Sequence, residues 1–181
     1  SRLSRGLGDV YKRQELKDEI AKIIPRNIEY EVDLEAGNIA IITTNMKPFT
    51  GQDGLIGKIA RRIKRKIVLR TPIDAMMDMD EAKDVINDII PEDADITEMY
   101  FDACYREVTI QCRQPGTAIG RRGENSNAIR DKTGWAVKVE RTPPLFSKTV
   151  HDIRMYRQTH GDERRKLLKD FGLNIHRPTR P

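Results

Sequence analysis

The chain has 181 residues, a formal net charge of +5 and a pI near 9.2, with 34% of its residues charged and both signs mixed. That length accommodates one or two small domains, and the basic balance suits a polyanionic partner without demanding one. No apolar run approaches the ~20 residues that span a bilayer, so the sequence reads as a soluble, cytoplasmic protein with no membrane partner.

Residues Ser1 to Gln14 carry no apolar periodicity continuous with Leu16 and resemble a non-native leader or disordered tail, so they are set apart from the fold. From Glu15 to Ile24, Leu16, Ile20, Ile23 and Ile24 share one face of an amphipathic helix. Ile28, Tyr30, Val32 and Leu34 alternate along a strand, Gly37-Asn38 turns it, and Ile39 and Ile41 line the returning strand. A helix with Ile56, Ile59, Ala60 and Ile63 follows, then a strand over 67–70. These elements make a first domain over 15–72, and 73–79 reads as a linker.

A second domain is predicted over 80–144. Glu81 to Ile90 places Val85, Ile86, Ile89 and Ile90 at helical spacing and is closed by Pro91. Ile96 to Phe101 and Glu107 to Arg113 are strand-like and joined by a turn at 103–106. The second strand alternates Val108, Ile110 and Cys112 with Thr109, Gln111 and Arg113, so one face is buried. Pro115 to Ile119 makes one helical turn, and Gly120-Arg121-Arg122-Gly123 is a loop. Glu124 to Lys132 makes a helix stopped by Gly134, and Trp135 to Glu140 is a final strand.

The two halves repeat. Ile20-Ala21-Lys22-Ile23-Ile24-Pro25 matches Ile86-Asn87-Asp88-Ile89-Ile90-Pro91, and Arg70-Thr71-Pro72 matches Arg141-Thr142-Pro143. Helix, two-strand hairpin, helix–GxxG–helix and strand resembles the order of a type II KH domain. The expected fold is therefore α+β: two consecutive type II KH-like domains followed by a basic helical bridge.

In a GxxG loop two small residues let the backbone approach a phosphodiester, and the amides and dipole of the following helix favour an anion there. KH domains clamp about four nucleotides of single-stranded RNA in this way. Gly120, Arg121, Arg122 and Gly123 are the candidate clamp. Val137 and Val139, alternating with Lys138, offer an apolar floor for bases. Ile119 and Ile129 form the opposite wall, and Lys138 joins the RNA-binding set. Trp135 is read as core filling rather than a base-stacking platform.

The first copy is about four residues shorter between Pro48 and Pro72 than the second between Pro115 and Pro143. Counted back from the shared Arg-Thr-Pro, its Gly54-Leu55-Ile56-Gly57 falls inside a helix, and Ile56 continues the apolar stripe. This copy is expected to lack a working clamp. Its helix is basic on the outer side, through Lys58, Arg61, Arg62, Lys64 and Arg65. That side either extends an RNA track by charge or is simply a solvated face.

Beyond Pro144, 147–159 and 162–171 read as two helices with thin apolar stripes, and 172–181 as a linker, the whole of 145–181 bridging to a further domain. Cys104 and Cys112 flank the hairpin turn. A disulfide is compatible with that spacing, though a reduced pair packed as small apolar residues is favoured.

From Glu15 to Pro181 the ordered motifs resemble the archaeal β-CASP ribonuclease related to the cleavage and polyadenylation specificity factor. These are Ile-Ile-Pro at the helix end, Arg-Thr-Pro closing the first copy, and GxxG, Gly134-Trp135 and Arg141-Thr142-Pro143-Pro144 in the second. The resemblance implies a tandem KH region that targets single-stranded RNA, often U-rich. In that family a metallo-β-lactamase nuclease then cuts RNA with two zinc ions in mRNA 3′-end formation and transcription termination. It also implies a homodimer formed through the full-length parent. The family's zinc run, H-x-H-x-D-H, is absent from these residues, whose histidines are His151, His160 and His176. No catalytic residue, metal ligand or cofactor is assigned within this sequence. Two other readings remain open: a KH-like scaffold for protein contact or dimerisation, and a tandem KH transcription or ribosome factor.

Overall fold

The structure, a computed structural model, describes residues 14–35, 38–51 and 53–171. The expected leader over 1–13, Gly37 of the first turn and the linker over 172–181 lie outside the described residues. Contacts divide the chain into two compact units, with the boundary between Arg70 and Thr71.

In the first unit, helix α1 runs over 14–21 and includes Gln14, which the sequence assigned to the leader. Gln14 Nε2 donates to Asp18 Oδ1 at 3.0 Å, one turn further on. The helix ends short of Ile24 because the residue before Pro25 is pushed out of the helical region. Strands β1 (Glu31–Glu35) and β2 (Asn38–Ile42) pair antiparallel. A 3₁₀ turn over Lys47–Phe49 and helix α2 (Leu55–Ile63) cross over to β3 (Lys66–Arg70), which pairs parallel to β2. The central strand is buried at every position from Ile39 to Ile42, which is why it reads as a continuous apolar run. Ile20, Ile24, Ile39, Ile41, Phe49, Ile59, Ile67 and Leu69 form the core.

The second unit repeats this order. Helix α3 (Met79–Ile89) is followed by β4 (Ile96–Asp102) and β5 (Glu107–Cys112), paired antiparallel. Helices α4 (Pro115–Ile119) and α5 (Glu124–Thr133) then lead to β6 (Ala136–Arg141), parallel to β5. At the hairpin turn, Asp102 Oδ1 accepts from the amides of Cys104 and Tyr105 at 3.1 and 3.2 Å, an Asx turn. Trp135 is fully buried, edge-on to Phe101 at 4.9 Å, and its indole N–H donates to the Met77 carbonyl at 3.0 Å. That acceptor lies in the segment expected to be a linker. Instead, 73–75 forms a 3₁₀ turn, Met76 is buried in the core, and the Met77 amide donates to Thr133 O at 2.9 Å.

The C-terminal segment is one continuous helix, α6 (Lys148–Phe171), not two. It lies across the face of the β4–β5–β6 sheet opposite α3 and α5. Tyr100 Oη and His151 Nδ1 share a 3.0 Å hydrogen bond, Gln158 Oε1 accepts from the Phe101 amide at 3.0 Å, and Arg157 is ion-paired with Asp102. Arg154 pairs with Glu140 at 3.0 Å and covers the Tyr100 ring at 4.9 Å. Gly161 is the contact point with the hairpin turn. A Cβ there would stand 3.5 Å from the Ala103 Cβ, so the helix axis comes close to the turn without a break. The face of α6 that docks is polar. Val150, Ile153, Met155 and Tyr156, with Leu145 and Phe146 just before the helix, are exposed instead.

Candidate nucleic-acid interface

The Gly120–Gly123 loop is bent by its backbone. Gly120 has φ +75° and ψ 176°, Arg122 φ +51° and Gly123 φ +80°. The first of these conformations is accessible essentially to glycine alone. Space makes the same demand: a Cβ on Gly120 would stand 2.9 Å from the Cγ atoms of Glu124 and Asn125. Asn125 Nδ2 donates to Thr117 O at 3.1 Å and ties α5 back to α4 across the loop. Gly123 is the N-cap of α5, with no side chain capping that helix end, so its first amides are oriented outward where an anion is favoured. Arg121 and Arg122 are exposed, and no ion pair holds either among the described residues.

The predicted groove residues divide. Ile119, the last residue before the loop, is 37% exposed, and α4 and α5 both pack on β6. Val137 and Val139 are half-buried on the helix side of the sheet, beside the core. These three can present apolar surface next to the Gly120–Gly123 loop. Ile129 cannot. It is fully buried in the core, because α5 has few apolar residues to anchor it and uses this one. Lys138 is also misplaced by the sequence reading. Strand alternation turns it to the opposite sheet face, where its ammonium stands 2.6 Å from Glu140. Glu140 is thus shared between Lys138 and Arg154. The hydrogen bond from Lys138, then that from Arg154, holds its carboxyl below the usual carboxylate range against partial burial.

In the first unit, Leu55, Ile56 and Gly57 open α2, with Leu55 and Ile56 packed against the core, while Gly54 stands just outside the helix as its extended N-cap. Between the Lys47–Phe49 turn and α2, Thr50 is followed by Gly51-Gln52-Asp53-Gly54. This is a second GxxG spacing, in the same place as Gly120–Gly123, and the sequence reading passed over it. Its signal was the glycine spacing directly ahead of the apolar stripe, masked because Gly54 serves both frames. Gly51 has φ +95°, whereas Gly54 has φ −60° and caps α2. A Cβ on Gly54 would lie 2.4 Å from Phe49 O, so packing rather than φ requires glycine there. The exposed Asp53 puts a carboxylate where the other loop has Arg122.

Other candidates carry less chemistry. His151 is engaged by Tyr100, and His160 faces Glu163 at 3.6 Å. His176 lies outside the described residues. Cys104 and Cys112 are free thiols, and burial pushes the Cys112 thiol up.

Residues 11–76 match the KH domain of transcription termination factor FttA. Along 164 residues the chain is 36% identical to the transcription termination factor FttA of Methanothermobacter thermautotrophicus, covering 90% of this chain and 26% of that one. The counterparts from Thermococcus kodakarensis and Pyrococcus abyssi are each 34% identical, covering 91% of this chain and 26% of theirs.

Over residues 11–76 the chain is thus similar to an FttA KH domain.

The KH match falls on the first unit and the start of the second, while the likeness to the FttA relatives extends over both. The chain spans about a quarter of the length of these curated relatives. Among the described residues no group of three or more His, Cys, Asp or Glu side chains is placed to hold a metal. No helix among them is long and apolar enough to cross a membrane.

Proposed function

We propose that this chain is the RNA-targeting part of a transcription termination factor, built from two type II KH-like units of which the second clamps single-stranded RNA. The observation that carries this reading is the Gly120–Gly123 loop. It has a glycine-only conformation at Gly120, an uncapped helix end behind it, and two exposed arginines with no carboxylate partner among the described residues. About four nucleotides would pass the loop. Arg121 and Arg122 hold phosphates and give affinity without sequence information, while bases lie against Ile119, Val137 and Val139. The shared element order and pairing of the two units support the tandem KH reading, and the FttA name of the relatives supports a role in termination.

In this proposal the chain cuts nothing itself. It delivers RNA, U-rich by family resemblance, to a zinc-dependent β-CASP nuclease carried by a longer, homodimeric archaeal parent in the cytoplasm, which acts in mRNA 3′-end formation. The test is a fluorescence-anisotropy titration of the whole chain with short U-rich and mixed RNAs. Arg121→Asp/Arg122→Asp should weaken binding of every sequence at least tenfold and flatten its salt dependence. Equal affinity in the double variant removes the clamp.

A second reading, a scaffold for protein contact, is favoured by the exposed Leu145, Phe146, Val150, Ile153 and Tyr156. It predicts concentration-dependent self-association in sedimentation runs, abolished by Phe146→Ser/Ile153→Ser and indifferent to Arg121 and Arg122.

A further inference from the structure

The first unit carries its positive charge away from its glycine loop. From Gly54 to Ile73 the sequence has no acidic residue and seven cations, six of them between Lys58 and Lys66. In α2, Ile56, Ile59 and Ile63 face the core, so Lys58, Arg61 and Arg62, spaced i, i+3 and i+4, share the outer side. Lys64 ends the helix with φ +56°, turning the chain so that Arg65 and Lys66 follow directly into β3. All six are exposed. Arg62 is tethered to Glu19 at 3.0 Å, a carboxylate it shares with Lys22, so Arg62 is set apart from the unpaired cations. Lys58, Arg61, Lys64, Arg65 and Lys66 have no carboxylate partner among the described residues.

A helix C-terminus accounts for one or two cations through its dipole. Five uncompensated ones along nine residues form a surface whose complement is a line of negative charges. The loop beside it, with Asp53, repels such a line. In the second unit the distribution is inverted, with cations in the loop and an α5 whose Glu124, Arg130, Asp131 and Lys132 balance.

We infer that the first unit holds the phosphate backbone of single-stranded RNA on the outer side of α2 and the α2–β3 turn, through Lys58, Arg61, Lys64, Arg65 and Lys66, and not through its glycine loop. This rests on the reading of the chain as an RNA binder and adds a second, base-indifferent contact. The contact is electrostatic, so it contributes affinity for long RNA and a steep salt dependence, and no base preference.

The test uses the whole chain with a hexamer, which fills one clamp, and a 24-mer of the same composition, each titrated at several salt concentrations. Three proteins are compared: wild type, Lys58→Gln/Lys64→Gln/Arg65→Gln, and Lys83→Gln/Lys148→Gln/Lys166→Gln. The last removes equal charge from ammonium groups already paired with Asp80, Asp152 and Asp162. The patch variant should bind the 24-mer about tenfold more weakly, with a log K against log salt slope shallower by up to about 2. Its hexamer affinity should stay within twofold of wild type, and the paired-lysine control should match wild type on both RNAs. An unchanged 24-mer affinity and slope in the patch variant would overturn the inference. An equal loss in the control, or a parallel loss for the hexamer, would also overturn it, since either reports net charge alone. A wild type that binds neither RNA overturns the RNA reading itself, which is a separate outcome.

Discussion

Gly51-Gln52-Asp53-Gly54 and Gly120-Arg121-Arg122-Gly123 hold the same place in their units, each ending at the residue that caps the next helix. They share spacing and little else. Gly54 is glycine because the Phe49 carbonyl leaves no room for a Cβ, while Gly123 has room and needs its positive φ. One loop offers a carboxylate and the other two guanidinium groups. The difference teaches that a glycine motif records backbone geometry only. The charge between and behind the glycines decides whether a phosphate is welcome.

That comparison can be broken in order of expected effect. Trp135→Ala removes the largest side chain of the second core and should cost about 3–5 kcal/mol in chemical denaturation. A loss under about 1 kcal/mol would mean that the ring does not anchor the core beneath β6 and the Gly120–Gly123 loop. Next is the pair of glycines. Gly120→Ala should lower RNA affinity about tenfold, or about 1.4 kcal/mol, with the far-UV spectrum retained. Gly57→Ala, mid-helix with open space around its Cβ position, should stabilise the protein by about 0.5–1 kcal/mol and leave RNA binding unchanged. Wild-type binding by Gly120→Ala would erase the distinction between the two units.

The smallest effect is that of Glu140. Its carboxyl titrates lower in the folded protein than the usual 4.5, so its contribution is complete above about pH 4.5 and disappears as pH falls through the lowered value. Wild-type Tm should therefore drop more steeply below pH 4.5 than that of Glu140→Gln, by a difference worth a few tenths of a kcal/mol to about 1 kcal/mol. Parallel curves would show that the bonds from Lys138 within β6 and from Arg154 of α6 contribute nothing to stability.

Much of this was legible in the sequence because periodicity reports burial. The alternation of Val108, Ile110 and Cys112, the stripe of Ile56, Ile59 and Ile63, and the bracket of Pro115 and Gly134 around the second loop each mapped onto the expected element. What stayed hidden was whatever periodicity does not encode. Helix α6 docks through His151, Arg154, Gln158 and Gly161, a polar face met by Tyr100, Glu140 and a backbone amide, while its apolar stripe faces outward. An apolar-stripe argument orients such a helix the wrong way round. Ile129 failed for a related reason, since a nearly all-polar helix spends its single isoleucine on the core. Lys138 is a different case: the alternation with Val137 and Val139 already puts it on the far face, and the sequence reading counts it with the RNA-binding set in spite of that.

The bend at Gly120, Arg122 and Gly123 has one further consequence. Three of four residues already occupy left-handed or glycine-only conformations before any ligand arrives. If the loop binds RNA as proposed, the backbone bend is already made at folding, and an incoming strand need not impose it. Association at such a loop should resemble docking onto a fixed surface, with dissociation as the step that mutations alter.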